Sequence, residues 1–460
     1  FRATGPTSAA VVEVKIGAKK DGTITAADVT LKYQAGAFPG SPVGAGSMTA
    51  LACYDIPNFR IVGWDVVTNS PKVAAYRAPG APISAFGVES ALDELAQKLG
   101  IDPIGLRAQN GARDGVKAAY GPTFQNIGFL ETLEAIKSHP HYKTKLGPNQ
   151  GRGLAAGFWF NVGGESTAAL HLGEDGTATV VTGNPDIGGS RASMAIMAAE
   201  TLGVTVDRVR PVIADTASIG YSMLTGGSRT TFATGMAVVQ AAEKVVAELR
   251  RRAGVTWSVP IEQVAWKDGA AICLDPAKPD AKPLTLEALA SKSARTGGPI
   301  SAEVSLNAQG AGPGFGVHLC DVEIDPETGH VTVLRYTAAQ DVGRAIHPSY
   351  VEGQIQGGVA QGVGWALNEE YIFDRDGAME NAGFLDYRVP VASDLPMIET
   401  VMIEVPNPRH PFGAKGVGEV PIVPPLAAIA NAVSAAIGVR MKDLPLSPPK
   451  IRAALDAKGG

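Results

Sequence analysis

The sequence predicts an α+β protein of two lobes, each built from mixed β-sheets with flanking helices. A chain of 460 residues exceeds the size at which a single hydrophobic core keeps growing, so two large lobes are expected. Its 55 glycines and 32 prolines imply many tight turns and backbone-lined loops, which a helical bundle does not need. Period-two patterns bounded by turn residues alternate along the chain with patterns of helical period.

Residues 11–32 alternate apolar and polar positions around Lys20-Asp21-Gly22, the pattern of a hairpin. The same turn signal at Glu174-Asp175-Gly176, Lys267-Asp268-Gly269 and Glu327-Thr328-Gly329 marks further strand pairs rather than a solenoid repeat. Residues 83–99 place Val88, Ala91, Leu92, Leu95 and Leu99 at helical spacing and close on Gly100, so one helix face should be buried. Residues 193–202 and 233–252 read the same way, each after a loop rich in glycine and serine. That order sets loop amides at helix N-termini, where unpaired N–H groups bind anionic or polar oxygens. The polar, turn-rich residues 137–151 put a lobe boundary near 150, dividing the chain into 1–150 and 151–460, and residues 276–283 should form an exposed loop.

The net charge is −5, with Lys and Arg dispersed, which excludes the basic footprint of a nucleic-acid binder. No apolar stretch is read as approaching the roughly 20 residues of a bilayer span. The start FRATGPTSAA lacks the basic end and apolar core of a signal peptide. A soluble, cytoplasmic protein is expected, with a periplasmic location left open. Cys53, Cys273 and Cys320 are scattered and form no CxxC pair, so they read as small buried apolar residues rather than cluster or disulfide ligands. The opening Phe1 suggests a processed, trimmed or split polypeptide.

Five segments read as functional loops: residues 76–82 (YRAPGAP), 186–191 (DIGGSR), 225–231 (TGGSRTT), 353–364 (GQIQGGVAQGVG) and 415–419 (KGVGE). None carries GK[ST] or a strand–GxGxxG–helix context, so ordinary nucleotide motifs do not fit. Each alone can be simple turn geometry. Together they supply exposed amides plus Gln354, Gln356, Gln361, Ser228, Thr230 and Thr231, the donors and acceptors suited to a large polar heterocycle with phosphates, such as a pterin.

In order and wording these segments resemble the molybdopterin-binding subunits of the xanthine dehydrogenase and aldehyde oxidase family. The resemblance runs from the opening hairpin nearly to Pro449 and is most specific at residues 341–367, at 413–419, and at Ser228-Arg229 with its following helix. It implies a molybdenum–molybdopterin cofactor, in the mononucleotide or the cytosine dinucleotide form, with no side chain of this chain as a metal ligand. Arg77 and Ala78 would lie beside the metal. Ile187, Gly188, Gly189, Ser190, Ser228, Thr230, Thr231 and Gln354 would contact the pterin or its phosphate, and Lys415, Gly416, Val417 and Gly418 would line the site. Glu419 resembles the family's catalytic glutamate, which takes a proton from water activated by molybdenum so that oxygen enters an electron-poor C–H carbon.

The implied reaction is hydroxylation of an aldehyde or a purine-like N-heteroaromatic. Its two electrons would pass to [2Fe–2S] and FAD centres on partner subunits, since this chain lacks the thiolates for a cluster. The family's earlier portion, with a GGGFGGK-like loop, has no counterpart here; Phe160-Asn161-Val162-Gly163-Gly164 comes after YRAPGAP and reads as a strand followed by a turn. A partner chain or preceding segment carrying that N-terminal part should complete the lobe of residues 1–150. Ala78-Pro79 stand where the family's carbon monoxide dehydrogenases carry a copper-binding cysteine, which argues against a Cu(I) site.

A non-catalytic, cofactor-carrying subunit is the competing reading, and Glu419 separates the two, because a scaffold needs no carboxylate there. A metal hydrolase finds little support: His139-Pro140-His141 is the only close histidine pair, has no adjacent carboxylate, and reads as exposed loop histidines. His347 and His410 flank cofactor loops and either support the residues that contact the cofactor or, the preferred reading, serve as buried structural hydrogen-bonding groups. Asp341, Arg344 and Glu352 either orient the glutamine segment or, the preferred reading, form a local ion-pair cluster at a strand end. Lys415 should point away from Glu419, because a close ammonium would weaken that carboxylate as a base.

Overall fold

The computed structural model describes all residues except 2–4, 214, 215, 218 and 460. The opening hairpin is present as β1 (Ala10–Ala18) and β2 (Ile24–Gly36), followed by α1 (Val43–Thr49) and by β3 (Phe59–Val67), which returns parallel to β2. Then come α2 (Ala81–Leu99), α3 (Pro103–Asn110), α4 (Phe129–Ser138) and α5 (Pro140–Lys143). The remainder runs β4 (Gln150–Trp159), β5 (Gly164–Leu172), β6 (Ala178–Thr182), α6 (Ser190–Leu202), β7 (Val209–Ile213), α7 (Gly235–Trp257), β8 (Val264–Lys267), β9 (Ala270–Cys273), β10 (Leu284–Thr285), α8 (Leu286–Ala290) and α9 (Ser293–Thr296). It ends with β11 (Ile300–Ala308), β12 (Gly314–Ile324), β13 (Val331–Asp341), α10 (Pro348–Leu367), β14 (Ile398–Ile403), α11 (Pro425–Ile437) and α12 (Pro448–Gly459).

The strands form sheets in the orders β1-β2-β3, β10-β9-β8, β11-β5-β6-β7 and β14-β13-β12-β4, the first, third and fourth mixing parallel and antiparallel pairs. The expected α+β architecture of mixed sheets with flanking helices is therefore present. All four predicted turns join the strands they were expected to join.

The β14-β13-β12-β4 sheet is the centre of the molecule. Leu154, Ala156 and Phe158 of β4 face a core shared with β2, α2, α3 and α4, so apolar packing runs across residue 150. The alternate positions Gly151, Gly153 and Gly157 face α11 and its preceding turn, and a Cβ there would lie 2.0, 2.0 and 2.7 Å from Ala432 O, Ala428 O and Pro424 Cδ. Period two thus gives β4 one bulky face and one bare face, and α11, rich in alanine, rests on the bare one. The outer edge of β4 is blunted by a side chain, not a strand: the Ala156 N–H donates to Glu89 Oε2 at 2.8 Å, and the buried Arg107 Nε reaches the same oxygen at 2.8 Å. A third core joins β5, β6 and β11 to α6 and α7.

Three expectations are corrected. Residues 353–364 are not a loop but the middle of α10, because their glycines serve packing: a Cβ on Gly358 would lie 2.5 Å from Pro421 Cβ, and one on Gly362 would lie 2.4 Å from Pro425 Cβ. The apolar run Val420–Ile437 is long enough to cross a bilayer by length and composition, with mean hydropathy 1.8, but 89% of it is buried inside the fold, as a core helix and the turn before it. His141 is buried rather than exposed: α5 tucks it under β12 and β13, with Nδ1 2.8 Å from Thr337 Oγ1 and Nε2 3.0 Å from Asp321 Oδ2. Arg152 clamps that carboxylate at 2.7 and 2.8 Å. Burial raises the Asp321 carboxyl, and the bonds from His141 and Arg152 outweigh it and hold the group below the ordinary range.

The packing of α10 gives a paired prediction. Gly358→Ala must displace the Pro421 backbone, and the overpacking cost of about 1–3 kcal/mol should exceed the ~1 kcal/mol gained in helix propensity. Gly353, on the same helix with nothing within 4 Å of a built Cβ, should accept alanine with unchanged or slightly raised stability. Thermal melts of the two variants compare them directly.

Candidate functional site

The segment before α2 supplies the first part of the site. Ala78 is fully buried with φ +52, Gly80 has φ +84, and the Tyr33 hydroxyl donates to Gly80 O at 2.9 Å. This left-handed path turns the Ala78 N–H toward Glu419 Oε1, at 3.0 Å. Beside it Arg77 crosses to the other end of the chain. Its Nε donates to Gly418 O, its Nη1 to Gln361 Oε1 at 3.0 Å, and its Nη2 to Gln354 O at 3.0 Å and Gln354 Oε1 at 3.3 Å. One guanidinium therefore fastens the 76–82 segment to α10 and to the KGVGE run.

Glu419 is gripped from a third direction. Ser228, also left-handed at φ +60, accepts from the Glu419 N–H at 3.0 Å, and its hydroxyl donates to Glu419 Oε2 at 3.3 Å. The next residues, Thr230–Thr234, form a π-helical turn leading into α7, a distortion common at functional sites. Burial raises the Glu419 carboxyl above the ordinary glutamate range, opposed by the Ala78 N–H, the Ser228 hydroxyl and the Arg77 charge. Lys415 points away, as expected: its Nζ is 2.6 Å from Asp341 Oδ2 and donates to Asn126 O at 2.6 Å. Its ammonium is thus committed to Asp341. Arg344 is exposed and Glu352 is met by Gln356 Nε2 at 3.4 Å, so the expected cluster with Asp341 is replaced by the Lys415–Asp341 pair.

Residues 187–189 form a single turn before α6, with Gly188 and Gly189 at φ +59 and +78. A Cβ on Gly188 would lie 2.5 Å from Gln354 Nε2, and one on Gly189 would lie 2.4 Å from the Tyr350 ring. Gln354 thereby joins this turn to Arg77. Ile187 is exposed, while Ser190 is buried at the start of α6. Gly416 meets Ser228, since a Cβ there would lie 2.3 Å from Ser228 O. Thr230 is buried near the turn, and Thr231 approaches His410, whose burial lowers its pKa to about 4 against the opposing Thr231 backbone. Gln356 turns toward β14, with Nε2 3.3 Å from Ile398 O.

Two further residues were not singled out in the sequence. Asn161, at φ +47, donates to Gly312 O at 2.9 Å and to Gly416 O at 3.1 Å, and Gln340 Nε2 approaches Val417 O at 3.4 Å. The only sequence signal for Asn161 was an asparagine at a turn, which φ above zero favours. For Gln340 the signal was a second polar residue beside Asp341, after Ala338-Ala339, at the end of a strand.

This arrangement fits a pterin cofactor. Asn161 Oδ1, Thr230 Oγ1 and Gln340 Oε1 are buried around the Ser228 and KGVGE turns with no hydrogen-bond partner in the protein, and such groups require one. Among the described residues no group of three or more His, Cys, Asp or Glu could hold a metal ion. Models of the molybdopterin cofactor-binding domain match residues 129–396 and 1–111. The chain belongs to the xanthine dehydrogenase and aldehyde oxidase family.

Within that family, the chain is 31% identical, over 98% of its length, to the putative xanthine dehydrogenase molybdenum-binding subunit XdhA of Escherichia coli, and it spans 63% of that protein. The structure of the aldehyde oxidoreductase from Desulfovibrio gigas superposes with a TM-score of 0.81 at 28% identity, over 98% of this chain and 50% of that one. A Cu,Mo-CO dehydrogenase shares the fold, with a TM-score of 0.87 at 23% identity over 99% of this chain and 63% of that one.

The raised carboxyl makes a stability prediction for this family member. Glutamine at 419 can keep both contacts, its oxygen accepting from Ala78 and its amide donating to Ser228. Because ionised Glu419 is disfavoured in the folded state, wild-type stability falls as pH rises from the free-glutamate value of about 4.3 through the raised folded value. Glu419→Gln should therefore melt higher than wild type at pH 8, with the gap closing toward pH 4. A gap independent of pH would contradict the raised carboxyl.

Proposed function

We propose that this chain provides the cofactor cradle and the general base of a molybdenum hydroxylase acting on an aldehyde or an N-heteroaromatic substrate. When bound, the molybdenum cofactor acidifies water and takes up two electrons. The residues of this chain hold the cofactor, orient the base and move the proton. Gly188, Gly189 and Ser190 offer amides at the N-terminus of α6, and Thr230, Asn161 and Gln340 offer unpaired polar atoms.

The observation that carries the reading is the Glu419 carboxylate: partly buried, raised in pKa, and held at both oxygens by Ala78 and Ser228. A base works best with its pKa near the working pH, and burial moves Glu419 that way. A cofactor-carrying scaffold has no use for such a costly carboxylate. Electrons would leave to [2Fe–2S] and FAD centres on partner subunits, which the scattered and largely buried Cys53, Cys273 and Cys320 cannot replace.

The test is purification with whatever polypeptides accompany the chain, elemental analysis for molybdenum and iron, and turnover of aldehydes and N-heteroaromatics. Glu419→Gln should keep its molybdenum and lose about 10²–10⁴-fold in kcat. A chain that takes up no molybdenum even with its partner polypeptides would overturn the cofactor assignment. Full activity in Glu419→Gln would overturn the assignment of the base.

A further inference from the structure

Arg229 is fully buried, and among the described residues no carboxylate forms an ion pair with it. Carbonyls and one hydroxyl satisfy it instead. Nε donates to Gly163 O at 2.7 Å, Nη1 to Met223 O at 3.0 Å, and Nη2 to Glu165 O at 2.5 Å and Ser166 Oγ at 2.8 Å. Burying a guanidinium among neutral acceptors costs more than burying an apolar side chain of the same size, and a local fold could be closed without it. The expense is understandable if those bonds hold something in place.

What they hold is the turn that carries Ser228. Residues 223–229 run beside the start of β5, where the Met223 N–H donates to Glu165 O at 3.0 Å, and Arg229 ties the end of that turn to its start at Met223 and to the β5 entry at 163–166. The Val162 N–H donating to Gly227 O at 2.8 Å closes the same loop. Ser228 sits between these fixed points in a left-handed conformation that a serine rarely adopts, with its hydroxyl set between the N–H and Oε2 of Glu419. Behind it Ser166 Oγ passes the connection to Thr234 Oγ1 at 3.2 Å, and Thr234 donates to Asn184 Oδ1 at 2.6 Å, beside the 186–191 loop.

We propose that Arg229 is a positioning residue for the proposed reaction, acting through Ser228 to hold the Glu419 carboxylate in its working orientation. Its hydrogen bonds go to Gly163, Met223, Glu165 and Ser166, none of them to Glu419 itself. Arg229 and Ser228 form one clasp, so removing either should release the same hydrogen bonds at Glu419, and removing both should do no further harm. This rests on the proposed role of Glu419 for its catalytic consequence, but not for the clasp itself.

The test compares Arg229→Lys, Arg229→Met, Ser166→Ala, Ser228→Ala and the Arg229→Lys/Ser228→Ala pair in the full chain with its co-purifying polypeptides. Hydrogen–deuterium exchange of the segment 415–420 reports the Glu419 N–H. It should quicken in Arg229→Lys about as much as in Ser228→Ala, less in Ser166→Ala, and no further in the pair. kcat should fall at least tenfold in Arg229→Lys with KM within twofold, and more in Arg229→Met. Should Arg229→Met fail to fold, the lysine and Ser166→Ala variants carry the comparison. Unchanged exchange at 415–420 in folded Arg229→Lys would overturn the clasp. Faster exchange with unchanged kcat would leave the clasp standing and overturn the catalytic reading of Glu419.

Discussion

The site depends on one constraint: two oxygens of a single carboxylate must be met by donors from opposite parts of the chain. Ala78 approaches Glu419 from the segment before α2 and Ser228 from the turn before α7. Neither would point there from ordinary backbone. Both are non-glycine residues in the left-handed region, at a cost of about 1–3 kcal/mol each. Such strain survives only where surroundings over-determine it, and here two buried or partly buried arginines do so. Arg77 ties its own loop to α10 and Gly418, and Arg229 ties its own turn to β5.

The close approach of these segments depends on bare backbone. α11 can lie on β4 because Gly151, Gly153 and Gly157 leave one strand face without side chains, and α10 can lie on the 420–425 stretch because Gly358 and Gly362 do the same on a helix. The KGVGE run, whose Glu419 is followed directly by that stretch, is thus fixed by packing on one side and by hydrogen bonds on the other. The abundance of glycine that first suggested turns therefore has two origins. Positive-φ positions such as Gly188 and Gly189 are turns; Gly358 and Gly362 are contact surfaces.

That division explains what could be read in the sequence. The hairpins at 20–22, 174–176, 267–269 and 327–329 were legible because a period-two pattern around a turn is a local property. The helix over 83–99 was legible for the same reason, and the structure begins it only two residues earlier, at Ala81. Residues 353–364 read as a loop in sequence because glycine lowers helix propensity, and only the tertiary partners, Pro421 and Pro425, show why glycine stands there. The burial of His141 has no local signal, because its partners, Thr337 and Asp321, lie some 180 to 200 residues further along the chain. The site residues came from resemblance to a family rather than from pattern, and Asn161 and Gln340, which the resemblance did not include, were found only through the unpaired atoms they bring to the same turn.

The electrostatics turn on where one lysine goes. Lys415 lies four residues before Glu419, and had its ammonium stayed nearby, it would have favoured the ionised carboxylate and lowered its basicity. Asp341 takes it instead. That carboxylate also accepts from the Gly128 N–H at 2.9 Å and the Gly343 N–H at 3.1 Å, so the pair joins the start of α4, the end of β13 and the KGVGE run at one buried point. Left with Arg77 as its nearby positive charge, and with that guanidinium shared among Gly418, Gln354 and Gln361, Glu419 stays above the ordinary carboxylate range. The same lysine thus anchors the turn that carries the base and, by being occupied, leaves the base its strength.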